Sequence, residues 1–154
     1  MLFADFVAAL SKELGMEIEI ENDVCAVRAA AADGTSVTVL LHGFDDRGAV
    51  LATADLGAPP PERLASLFRS LLEANDLFRD TCGATLSLNP DTGRIRLQRY
   101  DALDAVFEVD PAKTFLAFVE VAAAWADLVR DFRAAPPAET DDKDAPPPAS
   151  GIFA

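Results

Sequence analysis

The fold is decided between residues 24 and 56, where the sequence reads VCAVRAAAADGTSVTVLLHGFDDRGAVLATADL. Val37, Val39 and Leu41 alternate along the chain, which places them on one side of an extended strand. Turn signals at 33–34 (Asp-Gly) and 45–48 divide the stretch into three runs. The predicted strands are Val24–Ala31, Ser36–Leu41 and Ala49–Leu56. Because connections this short join antiparallel neighbours, the stretch predicts a three-stranded antiparallel meander.

Helical and extended patterns flank this meander on both sides. An amphipathic helix is predicted from Leu2 to Leu14, and Met16–Glu21 follows it as either a fourth strand or a lead-in. Downstream, the sequence predicts a helix from the prolines at 59–61 to about Leu77, strands Ala84–Leu88 and Arg94–Tyr100, and a last helix over Pro111–Arg133. The order α-β-β-β-α-β-β-α, with short strand connections, predicts an α+β fold with an antiparallel sheet.

Length and composition predict one folded domain with a tail. The chain has 154 residues, of which 51% are apolar, enough for one core spanning residues 1–133. Residues 134–154 read AAPPAETDDKDAPPPASGIFA and are nearly empty of large apolar side chains. We expect a disordered, acidic, Pro/Ala-rich tail there.

The net charge and the cysteine content limit the binding partners and the cellular compartment that we expect for this protein. Twenty-six acidic residues against 13 basic ones give a net charge of −13. Nucleic acids and anionic membrane surfaces recruit basic proteins, so neither is an expected partner. Two cysteines outside any CxxC motif do not make a disulfide scaffold, and the N-terminus has no signal-peptide pattern. We expect a cytoplasmic protein.

No catalytic or metal motif is present, so the sequence predicts neither an enzyme nor a cofactor. His42 is the only histidine, and Cys25 and Cys82 lie in mainly apolar runs, as core cysteines often do. The tripeptide 91–93 (Asp-Thr-Gly) matches the aspartic protease motif, but Asn-Pro precedes it and a strand follows, which indicates a hairpin loop. Glu73 and Asp76 share one helical face as an enzyme would need, although a solvated helix end explains them as well.

Four short stretches between residues 71 and 98 carry a family resemblance. They read LLEAN (71–75), TCGATLSL (81–88), DTG (91–93) and IRLQ (95–98). This pattern resembles the class I type III secretion chaperones, the Tir chaperone family, and the likeness covers about residues 1–133. The resemblance implies a homodimer that binds, without ATP, a segment near the N-terminus of a secreted effector protein and keeps it competent for secretion. A regulatory or interaction protein on the same fold, with no export client, is the alternative.

The resemblance also implies two sets of contact residues. The effector would contact Phe3, Phe6 and Leu10 on the first helix and Val37, Val39 and Leu41 on the second strand. The dimer contact would use Leu67, Leu71, Leu86 and Leu88. Every one of these apolar residues could instead belong to the core.

Overall fold

A computed structural model of the chain describes residues 1–134. Apart from Ala134, which ends the last helix, the predicted tail lies outside the described residues. The elements are α1 (Phe3–Leu14), β1 (Val24–Ala30), β2 (Ser36–Phe44), β3 (Ala49–Gly57), α2 (Leu64–Asn75), β4 (Thr85–Leu88), β5 (Ile95–Ala102), α3 (Leu103–Val109) and α4 (Pro111–Ala134). The α+β prediction is confirmed. The short helix α3 was not predicted, because its seven residues are too few to show a clear helical period.

The five strands form one antiparallel sheet in the order β1-β2-β3-β5-β4. The hairpin β1-β2 and the neighbouring hairpin β2-β3 make the predicted meander. α2 then carries the chain past the sheet, so that β5 pairs with β3 and β4 becomes an edge. β1 is the other edge strand, and it pairs with β2 alone.

The two faces of the sheet have different roles. On the inner face, α1 and α4 cover a core that includes Val27 and Val39, paired across β1 and β2. On the outer face, the next pair along the same strands is Ala26 and Leu40, and both are exposed. The alternation follows from the two-residue period of a strand. Among residues 1–134, no helix covers this outer face.

A glycine lets α1 approach the inner face closely. The Phe3 ring lies against Gly43, where an added Cβ would stand 2.3 Å from the Phe3 Cγ. The backbone N–H of Phe3 donates to Asp45 Oδ1 at 2.7 Å, which ties the start of the helix to the β2-β3 connection. The first turn of α1 therefore has a defined position on the sheet.

The segment between α1 and β1 is a lead-in and not a strand. Asn22 and Asp23 have φ values of 50° and 59°, as a two-residue hairpin turn requires. Beyond this turn, only Glu21 and Val24 pair, through N–H···O bonds of 2.9 and 3.0 Å. Of the two alternatives for Met16–Glu21, the structure has the lead-in.

Helix α2 ends at Asn75, two residues before the predicted boundary. Leu77 and Phe78 have positive φ values of 54° and 53°, which an α-helix does not allow. The side chain of Asn75 turns to the backbone of Leu86 in β4, which fixes the end of the helix against the sheet. Over residues 1–134, none of the helices combines the length and the hydrophobicity that crossing a bilayer needs.

Candidate functional site

A groove of about 980 Å³ runs between the lead-in and the edge strand β1. We call it the edge groove. Its lining residues are Glu17, Glu19, Ile20, Glu21, Asn22, Val24, Cys25, Ala26 and Leu40. The groove therefore combines an exposed strand edge, apolar side chains and a row of carboxylates.

The edge groove is lined by apolar side chains on one part of its surface and by carboxylates on another. The apolar side chains of Ile20 and Leu40 are 39% and 41% exposed, a large fraction for residues of this kind. The carboxylates of Glu17, Glu19 and Glu21 are exposed beside them. A strand edge offers backbone groups for pairing, and the carboxylates favour lysine and arginine. The groove thus fits an extended, basic peptide with some apolar side chains.

His42 adds no positive charge to this edge at neutral pH. It pairs with Val24 across β1 and β2 and is half-buried on the outer face. Burial lowers the pKa of its imidazole, and the guanidinium of Arg96 lowers the pKa further. Because the ordinary value is 6.5, the imidazole is mostly neutral at pH 7 and leaves the groove acidic.

The six residues predicted to contact an effector are all buried. Phe3, Phe6 and Leu10 lie on the side of α1 that packs into the core. Val37, Val39 and Leu41 lie on the inner face of β2. In the single chain they are core residues, which is one of the two interpretations that the sequence left open. Direct contact between any of them and an effector stays a prediction.

A second apolar surface lies where α2 meets β4. Its groove has a volume of about 300 Å³ and is lined by Phe68, Leu71, Leu72, Asn75, Leu86, Ser87 and Leu88. We call it the helix–strand patch. Leu72 is 71% exposed, and Leu77 and Phe78 in the turn after α2 are exposed as well. Exposed leucines this close together on one surface are typical of an interface.

The four predicted dimer residues divide between the core and this patch. Leu67 is fully buried and belongs to the core. Leu71 and Leu86 are buried but line the groove, and Leu88 is half-exposed beside them. The structure therefore brings three of the four together at one surface. The most exposed member of the patch, Leu72, was not among the predicted residues.

Asn75 partly closes the free edge of β4. Its Nδ2 donates to the carbonyl oxygen of Leu86 at 3.0 Å, and the N–H of Leu86 donates to its Oδ1 at 2.8 Å. The carboxamide thus takes the place of a neighbouring strand. A second chain would meet side chains here more readily than it would add a strand at Leu86.

The remaining candidates for chemistry show no active-site arrangement. Burial raises the pKa of the Cys25 thiol to about 11, which makes its thiolate scarce at neutral pH, and Cys82 is exposed. Asp91 lies in the β4-β5 loop, where its N–H donates to Asn89 Oδ1 at 3.0 Å, so the Asp-Thr-Gly stretch is a hairpin loop as predicted. Residues 1–134 contain no group of three or more His, Cys, Asp or Glu side chains placed to hold a metal ion.

Comparison with protein families identifies the chain. Residues 5–126 match the model of the Tir chaperone protein (CesT) family. The chain belongs to this family. Comparison with curated protein sequences finds no match. The family assignment confirms the resemblance noted in the sequence.

Solved structures show that this CesT-family chain has a known fold. A chain of the HopA1-SchA chaperone-effector complex is 18% identical, with a TM-score of 0.52, over 84% of this chain and 94% of that one. A chain of the ExsC-ExsE complex is 19% identical, with a TM-score of 0.53, over 81% and 91%. A chain of the heterodimeric ExoU-SpcU complex from the type III secretion system of Pseudomonas aeruginosa is 19% identical, with a TM-score of 0.53, over 80% and 97%. At these identities the likeness establishes the fold.

Sequence reasoning missed Leu40 because the alternation was read from one face only. Val37, Val39 and Leu41 form the apolar series, and Leu40 falls between them on the opposite face. A leucine at a position that the alternation assigns to the exposed face is unusual, and this feature of the sequence could have identified Leu40. The charged lead-in was visible in the sequence, but its position beside β1 depends on the Asn22-Asp23 turn.

Proposed function

We propose that this CesT-family protein is a type III secretion chaperone, which binds a segment near the N-terminus of a secreted effector and keeps it competent for secretion. It would do so in the cytoplasm as a homodimer, without ATP and without catalysis. Family membership supports the chaperone assignment, and a structural neighbour is described as a chaperone-effector complex. The proposed function requires neither a nucleotide-binding site nor a metal site.

The edge groove is the observation that carries the effector-binding proposal. An unfolded peptide can pair with a strand edge through its backbone, and its side chains then supply selectivity. Here the β1 edge stands beside apolar Ile20 and Leu40, with Glu17, Glu19 and Glu21 around them. The effector segment we propose is therefore extended, basic and interrupted by apolar residues.

The homodimer is proposed to form through the helix–strand patch. Leu72 and Leu88 expose apolar surface next to the buried Leu71 and Leu86, so a second copy would extend an existing core. Burial of apolar surface contributes about 25 cal/mol per Å², which favours covering such a patch. The edge groove lies at the opposite edge of the sheet and would stay open in this dimer.

Leu40 and Leu116 provide a matched pair of variants for the effector proposal. Both leucines are exposed to nearly the same extent, 41% and 40%, but Leu116 lies on α4, away from the groove. We expect Leu40→Asp to lower capture of the effector from the native cytoplasm at least tenfold, the equivalent of about 1.4 kcal/mol. Leu116→Asp should capture normally. Mass spectrometry identifies the partner, and limited proteolysis locates the protected segment.

The outcome separates the chaperone from its alternative. One partner protected near its N-terminus, and lost with Leu40→Asp, supports the proposal. A partner bound through a folded domain would favour a regulatory protein without an export client. Equal capture by Leu40→Asp and Leu116→Asp would remove the edge groove from the proposal.

The dimer has its own test. Leu72→Asp introduces a charge at the helix–strand patch, where the leucine is 71% exposed. Val109→Asp is the control, because Val109 on α3 is 64% exposed and lies outside the patch. Sedimentation velocity at fixed concentration should show a monomer for the first variant and the native dimer for the second. A native protein that sediments as a monomer would contradict the homodimer directly.

A further inference from the structure

The outer face of the sheet carries a row of polar side chains that crosses every strand. Arg28 in β1 pairs with Thr38 in β2, and Arg96 in β5 pairs with Asp55 in β3 and with Ser87 in β4. β2 and β3 pair at Val39 and Ala54, so Thr38 and Asp55 are also neighbours. The row thus runs Arg28, Thr38, Asp55, Arg96, Ser87. Strand spacing is about 4.8 Å, which puts its two arginines roughly 14 Å apart at the backbone.

A cleft of about 330 Å³ opens on this face beside Arg96. It is lined by Thr38, Leu40, Thr53, Asp55, Asn89, Arg94, Ile95 and Arg96. We call it the basic cleft. The guanidinium of Arg94 binds Asp55 through an Nε–Oδ2 contact of 2.6 Å. Among residues 1–134, the side chain of Arg96 makes no ion pair or hydrogen bond, although its charge helps to lower the pKa of Asp55.

The basic cleft is therefore net positive in a strongly acidic protein. Two guanidinium groups face one carboxylate, and Arg28 adds a third positive charge along the row. The effect of Arg96 on the imidazole of His42 is consistent with a positive potential over this face. An anionic ligand would be attracted to this cleft although the chain as a whole has a net charge of −13.

Helix α4 ends at the same end of the sheet as the row. Val129, in its next-to-last turn, lies against Gly57 at the end of β3, where an added Cβ would be 3.7 Å from Val129 Cγ1. Asp55 of the row is only two residues before Gly57. The chain beyond Ala134 therefore starts close to the basic cleft.

The chain after Ala134 contains an acidic segment and is long enough to bring that segment to the basic cleft. Residues 139–144 read ETDDKD, with four carboxylates and one lysine. They begin five residues after Ala134 and end ten after it, which allows a reach of roughly 17 to 35 Å. A helix is about 10 Å thick, so the segment can pass around the end of the helical layer to the outer face.

We propose that the acidic segment 139–144 of the same chain binds the basic row and cleft on the outer face of the sheet. A free acidic partner is repelled by the net charge of the protein, whereas a tethered segment acts at an effective concentration in the millimolar range. Leu40 lines both the basic cleft and the edge groove. The docked segment therefore competes at Leu40 with an incoming effector, a consequence that rests on the proposed function.

Paramagnetic relaxation in the full-length chain tests this contact without an effector. Thr140→Cys, in a Cys82→Ser background, carries a nitroxide within the acidic segment, while Cys25 stays buried and unlabelled. We expect broadening of the backbone amides of Thr38, Asp55 and Arg96, and recovery of their signals in 1 M salt, where the screening length is about 3 Å. The amides of α1 and of the first two turns of α4, which lie far from Ala134, should keep their intensity.

Two charge-matched double variants complete the design. Arg28→Gln with Arg96→Gln should abolish the broadening, and Arg69→Gln with Arg79→Gln, of the same net charge but away from the outer face, should keep it. Broadening that persists in the first double variant, or that is spread over the whole surface, overturns the proposal. In a mixture of spin-labelled and isotope-labelled chains, broadening only between chains assigns the contact to a second copy and also overturns it. Effector capture by Leu40→Asp is measured separately, so the two proposals can fail independently.

Discussion

Gly43 offers a sharp test of how α1 is attached to the sheet. Replacing a glycine by alanine in a strand normally stabilises a protein by about 0.5–1 kcal/mol, because glycine loses more backbone entropy on folding. Gly43 has no positive φ, so alanine adopts its backbone conformation without strain. We nevertheless expect Gly43→Ala to be destabilising. The reason is the ring of Phe3, which occupies the space of the missing Cβ.

The size of the effect follows from the contact distances. An alanine Cβ at position 43 would stand 2.3 Å from Phe3 Cγ and 2.5 Å from its Cδ1. Carbon atoms pack at about 3.5–4.0 Å, so the ring must retreat by roughly 1.2 Å or more. The hydrogen bond between the Phe3 N–H and Asp45, at 2.7 Å, restrains that retreat. Overpacking of a core costs about 1–3 kcal/mol, and we expect a loss of about 2–3 kcal/mol in the free energy of unfolding.

Urea denaturation at fixed protein concentration measures the loss, and a second substitution tests its cause. Phe3→Ala removes the ring together with the Cγ that would lie closest to the added Cβ, so the double variant should lose at least about 1 kcal/mol less than the sum of the two single losses. Gly48→Ala is the control, since nothing lies within 4 Å of its added Cβ and its cost of roughly 1 kcal/mol comes from a φ of 58° alone. Phe3→Ala should not relieve the cost of Gly48→Ala. A neutral Gly43→Ala, or additive losses in the double variant, would refute the packing argument.

Asn75→Ala should lower the free energy of unfolding by about 2 kcal/mol, because two hydrogen bonds to Leu86 at 2.8 and 3.0 Å are lost together. Asn75→Asp should not restore it, since a carboxylate has no donor for the Leu86 carbonyl; full stability of either variant in urea denaturation would contradict this account. A thiol reagent at pH 8 should modify Cys82 rapidly and Cys25 only after unfolding, because burial raises the pKa of Cys25 to about 11. Two equivalents of rapid modification in the native protein would show that Cys25 is accessible.

Local patterns were sufficient to predict most of the fold. Alternation in Val37, Val39 and Leu41 and the turn residues around them located β2 and its hairpins, since these signals act within a few residues. The end of α2 was placed too late because Leu77 continues the apolar pattern of the helix. What stops the helix is the contact between Asn75 and Leu86, eleven residues away. Such a tertiary contact has no local signature.

The candidate site was harder to predict because it depends on which face of an element is covered. Phe3, Phe6 and Val39 are apolar side chains that would suit a binding surface or a core, and the packing of α1 and α4 buries them in the core of the single chain. Leu40 and Leu72 can be recognised as exposed only when the structure shows which face of β2 and of α2 is left uncovered. Three of the four residues that the family resemblance assigns to a dimer contact, Leu71, Leu86 and Leu88, line one groove. Their contact with a second copy of the chain stays a prediction.

The position of Leu40 connects the two charged surfaces of the sheet. On one side of it lies the edge groove with Glu17, Glu19 and Glu21, and on the other lies the basic cleft with Arg94 and Arg96. A basic effector segment is attracted to the first surface and repelled by the second, while the acidic segment of the chain has the opposite preference. The two ligands therefore need not share a binding mode to exclude each other. It is enough that both ligands contact Leu40. An effector segment therefore displaces the acidic segment only if it is long enough to reach across β1 to Leu40.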